Sequence, residues 1–161
     1  MAKDLIIGVV DNYKWDKIKY WANSIKASGF KGEKALIVYN MDPKTVSILE
    51  DEGFMLIGPG TYDKETGFKY DKPSERIMVD RFFHIHNFLS LLAQPEEVDR
   101  VIITDVRDVV FQSDPSDCLD EMIYSGGTDI ILGSENIRYK DEPWGANNVQ
   151  DRKSTRLNSS Y

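Results

Sequence analysis

Residues 4–12 read DLIIGVVDN, and this stretch decides the fold. Its apolar run continues without a polar residue from Leu5 to Val10 and stops at Asp11 and Asn12. A strand with one face in water alternates apolar and polar residues, whereas a strand covered on both faces is apolar throughout. The stretch therefore predicts a buried strand of a parallel sheet, with two polar residues directly after its carboxyl end.

Predicted helices and strands alternate along the rest of the chain. The helices run from Trp15 to a stop at Gly29, from the Asp42-Pro43 start to Gly53, from a Ser74 cap to a break at Pro95, and from the Asp114-Pro115 start to Gly126-Gly127. Further strands are predicted over residues 34–40, 54–57, 100–104 and 129–133. Aspartate followed by proline is a favoured helix start, and glycine is a favoured stop. The alternation predicts an α/β domain with a mainly parallel sheet.

The same patterns predict which residues lie in the core. Trp15 and Trp21 recur at helical spacing and are expected to be buried. The apolar residues of the third helix are expected to face the sheet, namely Ile77, Met78, Phe82, Ile85, Phe88, Leu89 and Leu92. Residues 58–73 are rich in glycine and proline, and a loop this long in a compact domain is usually functional or mobile.

The composition is that of a globular protein with a sizeable core. The chain has 161 residues, of which 41% are hydrophobic and 29% charged, and its net charge is −7. Acidic charge argues against nucleic acid as a general partner, because phosphate backbones are bound by basic surfaces. Cys118 is the single cysteine, so no internal disulfide is expected. No apolar run has the length of a signal sequence or a transmembrane segment, and we expect a cytoplasmic protein.

The end of the chain differs in character from the rest. Residues 151–161, DRKSTRLNSSY, are polar and have no periodicity. Residues 151–160 resemble a common sequencing adapter translated in frame, and a native polar tail is the other interpretation. We expect the natural sequence to be interrupted after Gln150, so that residues 1–150 form one C-terminally truncated domain. The whole chain carries −7 and the tail +2, which leaves −9 on residues 1–150.

A second polar cluster follows the strand predicted over residues 100–104. VIITDVRDVVF, residues 101–111, places Asp105, Arg107 and Asp108 directly after an apolar run. In parallel α/β sheets, ligands bind beyond the carboxyl ends of the strands, where the strand order reverses. If the first strand is central and this strand lies beside it, residues 11–13 and 105–108 face one crevice.

Two explanations fit the charges of this cluster. Neighbouring carboxylates repel each other unless a cation lies between them, and Arg107 alone would supply that cation in a salt-bridged turn. Alternatively, one or both carboxylates hold Mg²⁺ or Mn²⁺, with diphosphate oxygens and water completing the octahedron. A site for a softer metal is not expected, because His84 and His86 point to different faces of a helix and are taken as packing or surface residues.

Familiar phosphate-binding and nucleophile motifs do not occur in the sequence. It contains no G-x-x-x-x-G-K-[ST] and no G-x-S-x-G, and no G-x-G-x-x-G follows the first strand. The chain is therefore predicted to be neither a P-loop enzyme nor a dinucleotide-binding Rossmann domain.

The element order and the acidic cluster resemble the GT-A nucleotide-sugar glycosyltransferases. In that fold a β-α-β-α-β segment precedes a long helix and an apolar strand that ends in a DxD motif. TDVRDVVFQSDP (104–115), NYKWDKIKYWANSIKASGFKG (12–32) and VYNM (38–41) are similar to a viral and microbial branch with a D-x-R-D-V-x-F-Q stretch. The resemblance covers residues 4–150 and implies a Rossmann-like GT-A sandwich. The acids here are spaced D-x-x-D, which departs from the family pattern.

The resemblance implies a role for several polar residues. Asp108 matches the metal-binding acid, and Asp105 is expected at the metal or its bound water, or at the ribose. The other residues expected to bind the nucleotide-sugar are Asp11, Asn12, Tyr13, Arg81 and Arg107. Glu135 and Asp141 are candidate catalytic bases, and Trp144 and Asn147 are expected to bind the sugar or acceptor.

The activity implied is metal-dependent transfer of a sugar from a UDP- or GDP-sugar to a hydroxyl of a glycan or other acceptor, with Mn²⁺ or Mg²⁺ as the cofactor. The alternative is a nucleotide- or sugar-binding module, or an inactive fragment, without turnover. Two further enzymes fit less well. A sugar-nucleotide pyrophosphorylase needs a glycine-rich basic loop where this chain has DNYKWDK, and a haloacid-dehalogenase-type phosphatase carries D-x-D-x-[TV] on its first strand.

Overall fold

The fold is a mixed α/β structure built on a parallel sheet. The computed structural model describes residues 3–92, 98–127 and 129–133. Over these residues the elements are β1 (Lys3–Val10), α1 (Trp15–Ser28), β2 (Glu33–Val38), α2 (Pro43–Asp51), β3 (Met55–Ile57), β4 (Thr61–Asp63), β5 (Gly67–Lys69), α3 (Ser74–Leu91), β6 (Val98–Ile103) and α4 (Pro115–Gly126). Four strands form a parallel sheet in the order β3-β2-β1-β6, and β4 and β5 form an antiparallel pair. The predicted α/β class and parallel sheet are confirmed.

The chain divides into two compact units, Met1–Met122 and Ile123–Tyr161, and every described strand belongs to the first. Among the described residues, no helix combines the length and the apolarity that are needed to cross a membrane.

β1 is the central strand of the sheet. It pairs in parallel with β2, where Ile7 lies opposite Ala35, and with β6, where Ile7 lies opposite Ile103. Its side chains alternate between two apolar clusters, with Leu5 and Ile7 in one and Ile6 and Val10 in the other. The unbroken apolar run is thus explained, because both faces of β1 are covered.

Helices cover both faces of the sheet. α1 and α2 pack on the face of Ile6, whereas Ile77, Ile85 and Phe88 of α3 pack on the face of Leu5. Trp21 is fully buried in the first cluster, and Trp15 is half-buried against it, so the predicted core tryptophans are confirmed. The predicted helix start at Asp42-Pro43 is also confirmed, because the Asp42 carboxylate accepts hydrogen bonds from the backbone N–H and the hydroxyl of Thr45.

A buried ion pair ties α4 to the α1 side of the sheet. Arg100 of β6 donates to both carboxylate oxygens of Asp4, at 2.8 and 2.6 Å, and it also pairs with Asp120 of α4. Ser116, in the first turn of α4, donates to the same Asp4 carboxylate. Burial by itself would raise the pKa of Asp4, but the hydrogen bonds from Arg100 and Ser116 and the charge of Arg100 hold it below its ordinary value of 3.8.

A hydrogen bond between two side chains holds α3 against the end of β2. The Tyr39 hydroxyl lies 2.7 Å from Nδ1 of His84, and burial together with nearby Tyr70 and Asp80 raises the pKa of Tyr39. His84 is therefore a packing residue, and His86 on the next face is exposed, as the sequence predicts.

Two predictions about α3 are wrong. Met78 and Phe82 are each 59% exposed, because a helix that is apolar on most sides buries only the stripe against the sheet. Among the described residues β6 is an edge strand of the sheet, and Val101 and Ile103 are partly exposed on the α3 side. Ser74 does not cap α3, since Pro73 holds that position and the Ser74 hydroxyl bonds to Asp11 instead.

The prediction that residues 58–73 form only a loop is wrong, because they contain the β4-β5 hairpin. Asp63 closes its turn by accepting from the backbone N–H groups of Glu65 and Thr66, and Gly67 takes the positive φ of 80° that follows. Phe68 then exchanges two backbone hydrogen bonds with Met41, at 3.0 and 3.2 Å. The hairpin is thereby attached beside the carboxyl end of β2.

The predicted fifth strand is also wrong, because residues 129–133 do not form a strand. The physical reason lies in the handedness of crossover connections. α4 packs on the same face as α1, through the contacts of Asp4 and Arg100. On that face a right-handed crossover from β6 leads towards β1, whose place is already filled.

Replacing Asp4 by Asn is expected to lower the free energy of unfolding at pH 7 by about 3 kcal/mol. The variant removes the carboxylate charge that balances the largely buried guanidinium of Arg100. A lowered folded-state pKa stabilises the fold above the unfolded value and ceases to do so as the pH falls through the folded value. The difference between wild type and variant should therefore shrink below about pH 4. Urea unfolding at pH 7 and pH 3 measures both; Glu33→Gln, in an exposed pair with Lys3, is the control and should cost under about 1 kcal/mol.

Replacing Gly8 by Ala is expected to destabilise the fold by about 1–3 kcal/mol through overpacking. A Cβ atom at Gly8 would lie 2.5 Å from Cγ2 of Val106 and 2.9 Å from Cδ2 of Leu36. Thermal unfolding should show a clear decrease in Tm, and Gly133→Ala, which meets no atom of the described residues within 4 Å, is the control. Equal Tm values for both variants would contradict this packing.

Candidate functional site

The sheet has a topological switch point between β1 and β6. From β1 the chain continues outward to β2 and β3, and then crosses back to β6 on the other side of β1. The carboxyl ends of β1 and β6 therefore lie side by side, because the two strands are parallel. The polar residues that follow these strands meet at this edge, which is where parallel α/β sheets bind ligands.

A cavity of about 530 Å³ lies at this edge. It is lined by Val9, Asp11, Tyr13, Ser74, Ile77, Met78, Arg81, Asp105, Val106, Arg107 and Asp108. Six of the residues predicted from the sequence are among them: Asp11, Tyr13, Arg81, Asp105, Arg107 and Asp108. Asn12 does not line the cavity; it is exposed with a φ of 54°, and its N–H donates to the Asn40 carbonyl at 2.8 Å.

Asp11 is held by hydrogen bonds from two other segments. Oδ1 accepts from Nδ2 of Asn40 at 2.7 Å, and Oδ2 accepts from the hydroxyl of Ser74 at 3.1 Å. Oδ1 of Asn40 in turn accepts from the backbone N–H of Tyr70 at 3.1 Å. Asn40 therefore joins the ends of β1 and β2 to the segment before α3, and it fixes the orientation of the Asp11 carboxylate.

The segment after β6 is anchored by one buried side chain between its charges. Val106 is 3% exposed and lies over Gly8, where a larger residue in β1 would displace it. Asp105, Arg107 and Asp108 are exposed around it. Further along, the backbone N–H of Phe111 donates to the Ser24 hydroxyl of α1 at 3.0 Å. The charged side chains are thus presented to the cavity by a backbone that is fixed on the α1 side.

Each acid of the segment has an arginine nearby. Nη1 of Arg81 lies 3.9 Å from Oδ1 of Asp105, and Nε of Arg107 lies 3.8 Å from Oδ1 of Asp108. Both distances exceed those of a hydrogen bond, so these are loose ion pairs. Nε of Arg81 is buried and has no hydrogen-bond partner within the described part of the chain. The site therefore combines two accessible carboxylates with a guanidinium whose donors are not fully used.

The two carboxylates suit a divalent cation that takes its remaining ligands from a bound molecule and from water. Within residues 3–92, 98–127 and 129–133, no group of three or more His, Cys, Asp or Glu residues could hold a metal ion. Mg²⁺ and Mn²⁺ commonly bind through one or two carboxylates, with phosphate oxygens and water completing the shell. Asp105 and Asp108 supply carboxylates of this kind, whereas the described residues offer too few ligands for a cation held by the protein alone.

Four predicted site residues, Glu135, Asp141, Trp144 and Asn147, lie outside the described residues. The sequence patterns do not indicate Asn40 as a site residue, and they assign Ser74 to a helix cap. Asn40 stands just after the second strand, so the same rule about carboxyl ends that finds Asp11 could have found it.

Comparison of the sequence with protein-family models, with curated proteins and with solved structures gave no match.

Asn40→Ala is expected to destabilise the fold by about 1–3 kcal/mol, because it removes one donor from Asp11 and leaves the N–H of Tyr70 without its acceptor. Ser74→Ala removes only the second donor to Asp11 and is the matched control, with an expected loss of under about 1 kcal/mol. Urea unfolding measures both, and equal losses would contradict the role given to Asn40.

Proposed function

We propose that the cavity at the ends of β1 and β6 binds a nucleoside diphosphate sugar together with Mn²⁺ or Mg²⁺, and that the protein is a glycosyltransferase with a GT-A-like fold. The observation that carries the proposal is the meeting of Asp11, Arg81, Asp105 and Asp108 in one cavity at the switch point of a parallel sheet. These residues come from three segments that are distant in sequence, and the donor and acceptor chemistry that they combine suits a ligand with both a polar ring and a diphosphate.

The lining of the cavity supports separate places for the two parts of such a ligand. Val9, Ile77 and Met78 supply an apolar wall, and the ring of Tyr13 lies at the same cavity. Flat rings bind well against such surfaces. Asp11, with both oxygens oriented by Asn40 and Ser74, is a fixed acceptor for N–H or O–H groups of a base or ribose.

The charged side of the cavity supports a diphosphate. Arg81 offers a buried Nε–H without an acceptor among the described residues, and guanidinium groups bind phosphate oxygens through paired hydrogen bonds. Asp108 and Asp105 would hold the cation. When bound, the cation would neutralise the charge that develops on the departing diphosphate. The residues of the chain itself orient the base, the diphosphate and the cation, so that the sugar faces the acceptor.

A nucleotide-binding module without turnover is the second candidate. One observation favours it: among the described residues, the carboxylates at the cavity are Asp11, Asp105 and Asp108, and the proposed nucleotide and cation use all three. A general base for an acceptor hydroxyl needs a free carboxylate within hydrogen-bond reach. Metal-dependent binding of a nucleotide without release of sugar from UDP- or GDP-sugars would favour this candidate.

The proposal predicts that one nucleotide stabilises the protein much more strongly when a cation is present than when it is absent. The full chain would be heated with UDP, GDP or CMP, each with and without Mn²⁺, and Tm measured. A ligand at about 100 times its Kd adds roughly 2.7 kcal/mol, which corresponds to a shift of several degrees. A well-folded protein whose Tm does not change with any nucleotide would contradict the proposal.

Asp108→Asn should abolish the cation-dependent part of the nucleotide shift, because it removes a carboxylate ligand of the cation while keeping the size of the side chain. Asp51→Asn is the matched control, since Asp51 is exposed at the end of α2, outside the residues that line the cavity. It should retain the full shift.

A further inference from the structure

Arg81 lines the cavity, and its Nε–H has no hydrogen-bond acceptor among the described residues. Its side chain is 29% exposed, and Nε is buried without an acceptor among the described residues. Nη1 lies 3.9 Å from Asp105, which is too far for a hydrogen bond, and the guanidinium lies 4.8 Å from the ring centre of Phe82. A buried donor without a partner costs free energy, so the site favours an anionic ligand that supplies the acceptor.

Asp105 cannot serve Arg81 and a divalent cation equally well. A cation bound to Asp105 would lie at about 2.1 Å from a carboxylate oxygen, and therefore close to the Arg81 guanidinium. Two positive groups on one carboxylate repel each other. The same conflict is weaker at Asp108, because its partner Arg107 is 73% exposed and screened by water, whereas Arg81 is only 29% exposed.

We propose that Arg81 competes with the cation for Asp105, and so makes the cavity bind a divalent cation and a diphosphate together rather than either one alone. This inference rests on the proposed function, since it concerns the same cavity. When phosphate oxygens accept from the Arg81 guanidinium, Asp105 becomes available to the cation, and the same oxygens complete the cation's coordination. Each ligand raises the affinity for the other, and the coupling is reciprocal.

If Arg81 competes with the cation, its replacement should change two affinities in opposite directions, which a purely structural role for Arg81 would not do. Arg81→Gln should bind Mn²⁺ alone more tightly than wild type, because the competing charge is gone. The same variant should bind UDP or GDP more weakly in the absence of metal, because the phosphate donor is gone. Opposite changes in two affinities cannot come from a general loss of stability, which would weaken both.

The test measures free Mn²⁺ by electron paramagnetic resonance during titration of the full chain without nucleotide, and the affinities for UDP and GDP without metal by calorimetry. Arg81→Gln should lower the Kd for Mn²⁺ about fivefold, the factor that corresponds to an exposed ion pair of about 1 kcal/mol. Arg81→Lys keeps the charge but loses the planar fork, so it should keep the weak Mn²⁺ binding and lose nucleotide affinity. The double variant Arg81→Gln, Asp105→Asn should lose the gain in Mn²⁺ affinity.

His86→Gln is the matched control, since it introduces the same residue on an exposed face of the same helix. It should leave both affinities unchanged. An unchanged or weaker Mn²⁺ affinity in Arg81→Gln, in a protein whose wild type binds a nucleotide with Mn²⁺, would overturn the inference and leave the proposed function intact. A gain in Mn²⁺ affinity without nucleotide binding in wild type would retain the competition at Asp105 and contradict the proposed function.

Discussion

Parallel pairing of β1 with β2 on one side and β6 on the other is the constraint on which the structure depends. Because both of its neighbours are parallel, all three carboxyl ends lie at one edge of the sheet. Because helices cover both faces, β1 is apolar from Leu5 to Val10, and on its carboxyl side polar side chains begin only where it ends. Position 8 of β1 must also lack a side chain, because Val106 occupies the space above Gly8. The position of the segment that carries Asp105 and Asp108 therefore follows from the core of the sheet.

The cavity gains its chemical character from charges that are nearly balanced. Asp11 accepts one hydrogen bond from a neutral donor at each oxygen, whereas Asp105 and Asp108 stand near arginines at distances that leave both sides of each pair available. Such loose pairs cost little to separate, because exposed ion pairs contribute about 1 kcal/mol or less. A ligand that carries its own opposite charges, such as a diphosphate with a cation, can exchange partners with them. A salt-bridged turn without a ligand would instead be expected to close the pairs to hydrogen-bonding distance.

The sequence predicts those features that depend on local chemistry. The apolar run at 4–10 predicts β1, Asp42-Pro43 predicts the start of α2, and the rule about carboxyl ends brings Asp11 and Asp105 to one site. Features that depend on tertiary contacts cannot be predicted from the sequence in this way. The periodicity of α3 cannot tell which of its apolar residues face the sheet, so the expected burial of Met78 and Phe82 is wrong. The β4-β5 hairpin has short polar strands, and its turn chemistry at Asp63 and Gly67 is clear only once the pairing is known. The roles of Asn40 and Ser74 rest on hydrogen bonds between segments far apart in sequence.

The most direct test of the central claim is a map of amide chemical shifts for the full chain, titrated with UDP and GDP and then with Mn²⁺ as a paramagnetic probe. The account predicts that nucleotide shifts concentrate at residues 9–13, 74–81 and 104–108. It predicts also that Mn²⁺ first broadens the amides of residues 105–108, and that broadening there strengthens when the nucleotide is present. Shifts and broadening centred on any other part of the chain, with residues 105–108 unaffected, would contradict the assignment of this cavity as the ligand site.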